Sequence, residues 1–276
     1  MDALSILKYI PPVISIIINI IGLHFLRVVP NLNSIQRVLL VNLSLSGTFN
    51  TVTTLVGQAV NDSEISRKTL ILGMQTLAEH SVVSSCLALI SITADRVIAT
   101  AFPLKYTALV TKDRLIKSII AQWIFATVFS FSLPSVTGKI GIRVYTFCIT
   151  SPTELIILLS YVYIIHTTQK SRKRSMPNCA GGITASKQGR RMLKVSCTIV
   201  VLFTFLVAIP DIVLFFIDKK HFTIIIIVIQ IYFIIDPIIY VYCYPPLREA
   251  MKKKVLQIIP FIHRQQSLPV QLNQSN

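Results

Sequence analysis

The residues of this chain best placed to do chemistry are an acid and an arginine that stand side by side, Asp95 and Arg96. They lie where a long apolar stretch ends, and the loop residues 103–106 follow shortly after them. Charge in or beside hydrocarbon is energetically costly and usually serves a function. We therefore predict an ion pair that closes one end of a helix bundle and exposes Arg96 when it opens. The alternative is a boundary ion pair with no switching role.

Two further carboxylates, Glu79 and Asp211, interrupt apolar stretches. Glu79 precedes Arg96 by 17 residues, which is about 25 Å along a helix at ~1.5 Å per residue. Asp211 follows Pro210 and is expected at a similar depth. Intramembrane carboxylates usually face a cavity or a partner, so we predict that both line a ligand pocket, which His80 and Gln230 could join. The alternative is that Glu79 and His80 only satisfy each other and the adjacent helices.

The composition is that of a membrane protein. Of the 276 residues, 53% are hydrophobic and only 14% are charged, and the mean hydropathy is +0.68. A soluble domain of this composition could not cover its surface with polar groups. Stretches of about 20 mostly apolar residues, the length of a membrane span, occur at residues 9–28, 36–60, 68–98, 114–135, 150–169, 192–217 and 221–244. The sequence predicts an all-α bundle of seven transmembrane helices.

The distribution of basic residues predicts the orientation. Segments 27–37, 96–117, 170–194 and 245–276 hold 20 of the 27 Lys and Arg, and basic loops stay on the cytoplasmic side. We expect the first residue outside and the last residue in the cytoplasm, in a multi-pass protein of the plasma membrane. The net charge of +16 then indicates contact with anionic membrane lipids. Binding to nucleic acid is not predicted, because the basic residues are spread among loops between spans.

The ends of the chain predict a simple domain organisation. Residues 1–257 form one transmembrane domain, which closes with a short basic helix near residues 246–257. This helix carries apolar residues on one face and should lie along the inner membrane surface. Residues 258–276 are expected to form a flexible cytoplasmic tail. Asn61 begins a sequon in the first outer loop and is a possible glycosylation site.

Other classes of membrane protein fit the sequence less well. A secondary transporter would show repeated halves with paired broken helices, and no such repeat is found. An intramembrane aspartyl protease would need a pair of aspartates at one depth. Asp211 and Asp236 are separated by the expected levels of their helices, so no enzyme activity, cofactor or metal site is predicted. A scaffold or other non-signalling seven-helix protein stays as the main alternative.

Several positions occur in an order that is similar to one receptor family. They are Asn19, residues 42–46 (NLSLS), residues 95–97 (DRV), Trp123, Tyr161, Pro210 and residues 236–240 (DPIIY). Across nearly its whole length the chain resembles the class A, rhodopsin-like G-protein-coupled receptors. The loop residues 103–106 (PLKY) and 109–111 (LVT) are also similar to those of adenosine- and melanocortin-type receptors.

The resemblance implies a function and a set of residues. It implies an extracellular ligand and a heterotrimeric G protein as partners, with no cofactor. The switch and coupling residues that it implies are Asp95, Arg96, Tyr161, Pro210, Asp236, Pro237 and Tyr240. The ligand pocket that it implies, together with the carboxylates above, holds Ala78, Glu79, Asp211 and Gln230.

The chain departs from the family pattern at several of its functional positions. Gly47 replaces the aspartate that binds sodium in the family, so the resemblance implies a degraded sodium site. Arg190 replaces the acid that would pair with Arg96. Ile71 replaces the cysteine that would form a disulfide with Cys148. Further replacements are Ala78 for the aspartate of amine receptors, Ala208 for the tryptophan of the sixth helix and Thr153 for the proline of the fifth.

Overall fold

The computed structural model describes residues 8–29, 33–62, 68–132, 134–174, 198, 201–202, 204–210, 213, 222–243, 247–249 and 251–253. These residues form helices joined by short turns, and none of them lies in a β-strand. The all-α class is therefore confirmed for the described part of the chain. The predictions that lie outside it concern the tail 258–276, Asp211, Arg190 and the side chains of Asn61, Asp236 and Tyr240.

Six long helices carry the described fold. They are α1 (Ile10–Val28), α2 (Ser34–Asp62), α3 (Lys68–Ala101), α4 (Lys112–Ser132), α5 (Pro134–Arg174) and α6 (Phe222–Cys243). A helical turn, Tyr106–Leu109, joins α3 to α4, and a π-helical stretch, Thr204–Ala208, precedes Pro210. Local sequence explains several of the ends. Pro11 lies in the first turn of α1, where its missing N–H costs nothing.

In the described part of the chain, five helices are long and apolar enough to cross a membrane, which confirms the first five predicted spans as helices and is compatible with a multi-pass membrane protein. Their apolar parts are Ile10–Val28, Ser34–Val60, Thr76–Ala101, Lys112–Ser132 and Phe147–Lys170. The seventh predicted span corresponds to α6, with a shorter apolar part at Ile227–Ile239. The sixth span, 192–217, lies mostly outside the described residues, so the count of seven stays a prediction.

One boundary differs from the prediction. Residues 136–149, expected outside the fifth span, continue it as helix, so that α5 is 41 residues long. The physical reason is the position of its prolines. Pro134 starts the helix, where no N–H is needed, and Pro152 lies inside it without ending it. Membrane helices tolerate an internal proline when neighbouring groups satisfy the freed carbonyl.

The described helices pack into a closed bundle. α3 packs against α2, α4 and α5, while α1 packs between α2 and α6. The π-helical stretch packs against α5 and α6 and completes the circle. Large apolar side chains such as Ile20, Val128 and Leu159 point outward, whereas many buried positions are Ser, Thr or Asn. Such small and polar contacts are typical of helices that associate within a bilayer.

The short segment that follows α6 packs against the core. Leu247, in the short helix predicted near residues 246–257, is fully buried and belongs to the main apolar cluster. Met251 packs against the same cluster, while Arg248, Lys252 and Lys253 are exposed. The described part of this segment therefore has the predicted division into an apolar and a basic side.

Helix α1 is attached to α6 at a backbone carbonyl that lacks its helical hydrogen bond. Pro237 has no N–H, so the carbonyl of Phe233, four residues earlier, loses its helical partner. Two side chains of α1 replace it. Ser15 Oγ donates to that carbonyl at 3.1 Å, and Asn19 Nδ2 donates to it at 3.1 Å. Gly22 lies opposite Pro237, where a Cβ would be in ordinary contact at 3.7 Å from Cβ of Pro237.

We expect Asn19→Leu to destabilise the bundle by about 1 kcal/mol, because it removes one donor from the Phe233 carbonyl. The measurement is thermal unfolding of the purified full-length chain in detergent. Ile20→Leu, at a neighbouring lipid-facing position that is 55% exposed, is the matched control and should change little.

The proline provides a second test of the same contact. Pro237→Ala restores an N–H that can bond to the Phe233 carbonyl, so Asn19→Leu should cost less in that background. Equal costs of Asn19→Leu in both backgrounds would contradict this account of the anchor.

Candidate functional site

The predicted ion pair is present at the end of α3. Arg96 Nη2 lies 2.6 Å from Asp95 Oδ2, and the Asp95 side chain is almost fully buried. Residues i and i+1 do not face each other on a helix, so the long arginine side chain has to fold back to its neighbour. The hydroxyl of Tyr106 donates to the other oxygen, Asp95 Oδ1, at 2.6 Å. Both carboxylate oxygens are thus held, and we call these three residues the gate.

The loop after α3 positions Tyr106 beneath the carboxylate. The N–H of Phe102 bonds to the Ile98 carbonyl at 2.9 Å, and the N–H of Lys105 bonds to the Phe102 carbonyl at 3.1 Å. Leu104 at the tip of this turn is 97% exposed. The sequence singled out this loop by resemblance, but nothing in the sequence identified Tyr106 as a partner of Asp95.

Of the other predicted switch residues, the three whose side chains the structure describes are buried between the helices. Tyr161 is buried in the same apolar cluster as Leu89, which lies one and a half turns before the gate on α3. Pro210 and Pro237 are buried as well. Both prolines therefore lie inside the bundle, where a change in helix angle at a proline moves packed neighbours.

A polar network crosses the bundle in its other half. Gln230, which is 2% exposed, donates from Nε2 to Thr54 Oγ1 at 3.1 Å and lies 3.5 Å from Asn50 Oδ1. Asn50 Nδ2 donates to Ser81 Oγ at 3.1 Å, and Ser81 donates to the Ala78 carbonyl at 2.6 Å. Two predicted pocket residues, Ala78 and Gln230, are therefore connected through α2. The half-buried side chain of Glu79 lies on the same turn of α3.

His80 contacts the adjacent helices α4 and α2, as the alternative to a pocket role predicts. Its Nε2 lies 3.0 Å from Thr127 Oγ1 on α4. Its ring packs edge-on against Phe49 at 5.2 Å and lies 5.7 Å from the ring of Trp123. The reason is geometric: α3 packs against α2, α4 and α5, so consecutive residues face different neighbours, and His80 faces α4.

Glu154 is a functional candidate that the sequence reasoning missed. It is 8% exposed, within a part of α5 apolar enough to span a membrane. Its Oε1 accepts a hydrogen bond from Thr204 in the π-helical stretch, while Oε2 has no hydrogen-bond partner among the described residues. The signal was available, because an intramembrane carboxylate is a functional candidate by default. The same argument had selected Glu79 and Asp211.

Gly47 of α2 faces α1 and α6. A Cβ at Gly47 would lie 3.5 Å from Asn19 Oδ1 and 3.4 Å from Phe233 Cδ1. The amide of Asn19 is engaged with α1 and α6 instead. Loss of sodium binding at Gly47 stays a prediction. Among the described residues, no group of three His, Cys, Asp or Glu could hold a metal ion.

Comparison with known proteins adds no assignment. The chain matches no known family model, and no curated protein is significantly similar to it. The motif residues and the contacts that they make are therefore the basis for assigning a function.

A double-mutant cycle tests the contact between Glu154 and Thr204. Thr204→Val removes the donor at nearly constant volume, and we expect it to destabilise the protein by about 1 kcal/mol. In a Glu154→Leu background the same change should cost nothing, which gives a coupling energy of about 0.5–2 kcal/mol. Unfolding of the purified chain is the measurement.

Thr204→Ser keeps the hydroxyl and serves as the control for the change at this position. A coupling energy of zero, or a Thr204→Ser variant as unstable as Thr204→Val, would show that the hydrogen bond does not fasten α5 to the π-helical stretch.

Proposed function

We propose that this chain is a class A G-protein-coupled receptor of the plasma membrane, with its first residue outside and its last residue in the cytoplasm. It binds an extracellular ligand and activates a heterotrimeric G protein. The observation that carries the proposal is the gate, in which Asp95 holds Arg96 at the end of the bundle where the basic loops lie. Because the ion pair depends on a folded-back Arg96 side chain and on the hydroxyl of Tyr106, it is suited to breaking and re-forming.

The other motif residues support the proposal through their contacts. Trp123 Nε1 donates to Asn42 Oδ1 at 2.9 Å, which joins two of the family positions across α2 and α4. Asn19 reaches the carbonyl left open by Pro237, which joins two more across α1 and α6. Residues chosen for their resemblance thus meet in pairs between helices, as expected if they preserve one architecture.

The ends of the helices supply the parts of a signalling switch. In the closed state the Asp95 carboxylate neutralises Arg96. When the pair opens, Arg96 becomes available to a partner at the cytoplasmic face. Leu104 and Phe102, which are 97% and 53% exposed, place apolar side chains beside the gate. Exposed apolar residues next to basic ones suit contact with a protein partner.

The middle of the bundle supplies a hinge for this movement. A π-helical stretch interrupts the regular helix just before Pro210, and such stretches occur frequently at functional sites. It is fastened to α5 by the hydrogen bond between Thr204 and Glu154. A ligand that binds near Gln230 and Glu79 would act on helices that converge on this region, including α6.

We expect Asp95→Asn to raise ligand-independent signalling, because the amide no longer neutralises Arg96. Tyr106→Phe should give a smaller increase, since it removes only one hydrogen bond from Asp95. The measurement is G-protein activation in cells that express the full chain with a panel of G-protein biosensors, without added ligand.

Two variants control this test. Asp113→Asn removes an exposed acid at the start of α4, outside the gate, and should leave signalling unchanged. Leu104→Ala should lower signalling without lowering surface expression. If Asp95→Asn matches mock-transfected cells in every biosensor at normal surface expression, the chain is better regarded as a non-signalling seven-helix protein.

The orientation can be tested without a ligand. We expect an epitope tag at residue 1 to be accessible on intact cells and a tag at residue 276 to be accessible only after permeabilisation, because the basic loops stay inside. Tagged reporter proteins of known orientation provide the control. The reverse labelling pattern would exclude the receptor proposal.

A further inference from the structure

An open apolar groove runs along the outside of the bundle between α2 and α4. It encloses about 560 Å³ and begins at the end of the bundle that carries the gate. Its apolar lining consists of Val38, Val41, Leu45, Ile116, Ile119 and Ile120. Leu45 and Ile120 are strongly exposed, at 45% and 53%. The two helices therefore leave a hydrophobic channel open on the surface that faces lipid.

The length of the groove matches one leaflet of a bilayer. Its lining runs from Ser34 to Leu45 on α2 and from Lys112 to Trp123 on α4. Each run rises by about 16 Å at ~1.5 Å per residue. Half of a hydrocarbon core of about 30 Å is close to this value. A lipid chain that starts at the mouth would therefore fill the groove down to Trp123.

The mouth of the groove is positively charged. Arg37 and Lys112 both line it, together with the hydroxyl-bearing Ser34. Arg37 Nη2 donates to the Val29 carbonyl at 2.5 Å, which holds the guanidinium in place. A guanidinium has five N–H donors, so Arg37 can bind a phosphate oxygen in addition to this carbonyl. Asp113 follows Lys112 in sequence but does not line the groove.

The deep end of the groove presents mainly hydrocarbon surface, although two polar side chains line it. Trp123 and Asn42 line it, but the indole N–H already donates to Asn42 Oδ1 at 2.9 Å. The ring therefore offers its hydrocarbon surface to the groove. Charge at the mouth and hydrocarbon along the length match the two parts of a phospholipid in the same order.

We propose that this groove is a binding site for one anionic phospholipid, with its phosphate at Arg37 and Lys112 and an acyl chain lying along α2 and α4 as far as Trp123. The assignment of the lipid to the inner leaflet rests on the orientation proposed above. The binding itself requires neither that orientation nor G-protein activation.

The chain carries its own probe for this site, because Trp123 is its only tryptophan. The full-length protein is reconstituted in phosphatidylcholine vesicles that contain increasing fractions of phosphatidylserine or phosphatidylcholine with brominated acyl chains. Bromine quenches tryptophan fluorescence on contact. A basic side chain near anionic lipid favours binding by about fivefold, so we expect brominated phosphatidylserine to associate at least about fivefold more strongly than brominated phosphatidylcholine.

Substitutions at the mouth distinguish a specific lipid-binding site from a general attraction of the basic protein to anionic lipid. Lys112→Gln should lower the preference for phosphatidylserine by about fivefold, while Lys112→Arg and Arg37→Lys should keep most of it. Lys117→Gln is the matched control, because Lys117 is exposed on the same helix but does not line the groove. Unchanged quenching by brominated phosphatidylcholine verifies that each variant is folded.

Three results would overturn the proposal. Equal quenching by the two lipids would show that the groove does not select an anionic headgroup. Equal losses in Lys112→Gln and Lys117→Gln would show a diffuse surface attraction without a site. Weak quenching by both lipids would show that protein covers the groove, for example a second copy of the chain.

Discussion

The carbonyl of Phe233 is the point on which the closure of the helix ring depends. Pro237 deprives it of its helical partner, and an unsatisfied carbonyl in hydrocarbon costs several kcal/mol. Ser15 and Asn19 satisfy it from α1. The proline therefore does more than bend α6. It creates a hydrogen-bond acceptor that only a neighbouring helix can satisfy. The first and last described long helices are therefore joined by hydrogen bonds as well as by packing.

The same rule explains the polar interior. Lipid is as apolar as leucine, so burying apolar side chains between helices gains little from the hydrophobic effect within a bilayer. Specific contacts are made instead by Asn50 with Ser81, by Gln230 with Thr54 and by Trp123 with Asn42. Each joins two helices. The pairs fix which helices are neighbours, and they leave the apolar residues to face the lipid.

The sequence predicted the parts of the fold that depend on local composition. The first five spans follow from apolar runs of sufficient length, and the pair of Asp95 with Arg96 follows from the cost of leaving charge beside hydrocarbon without a partner. Contacts that depend on tertiary arrangement were not predictable. The hydroxyl of Tyr106 reaches Asp95 only through the turn of the loop, and His80 faces α4 because α3 packs against several helices at once. Glu154 could have been identified, since a carboxylate within an apolar span is conspicuous.

The buried face of α5 connects the centre of the bundle to the gate region. Glu154, Ile157, Tyr161 and Ile164 are all buried and recur at helical spacing. Glu154 bonds to the π-helical stretch, while Tyr161 packs two turns away in the cluster that includes Leu89 of α3. Because cores are densely packed, a shift of the stretch before Pro210 cannot occur without displacing this face. Helix α5 thus packs against both the stretch before Pro210 and α3.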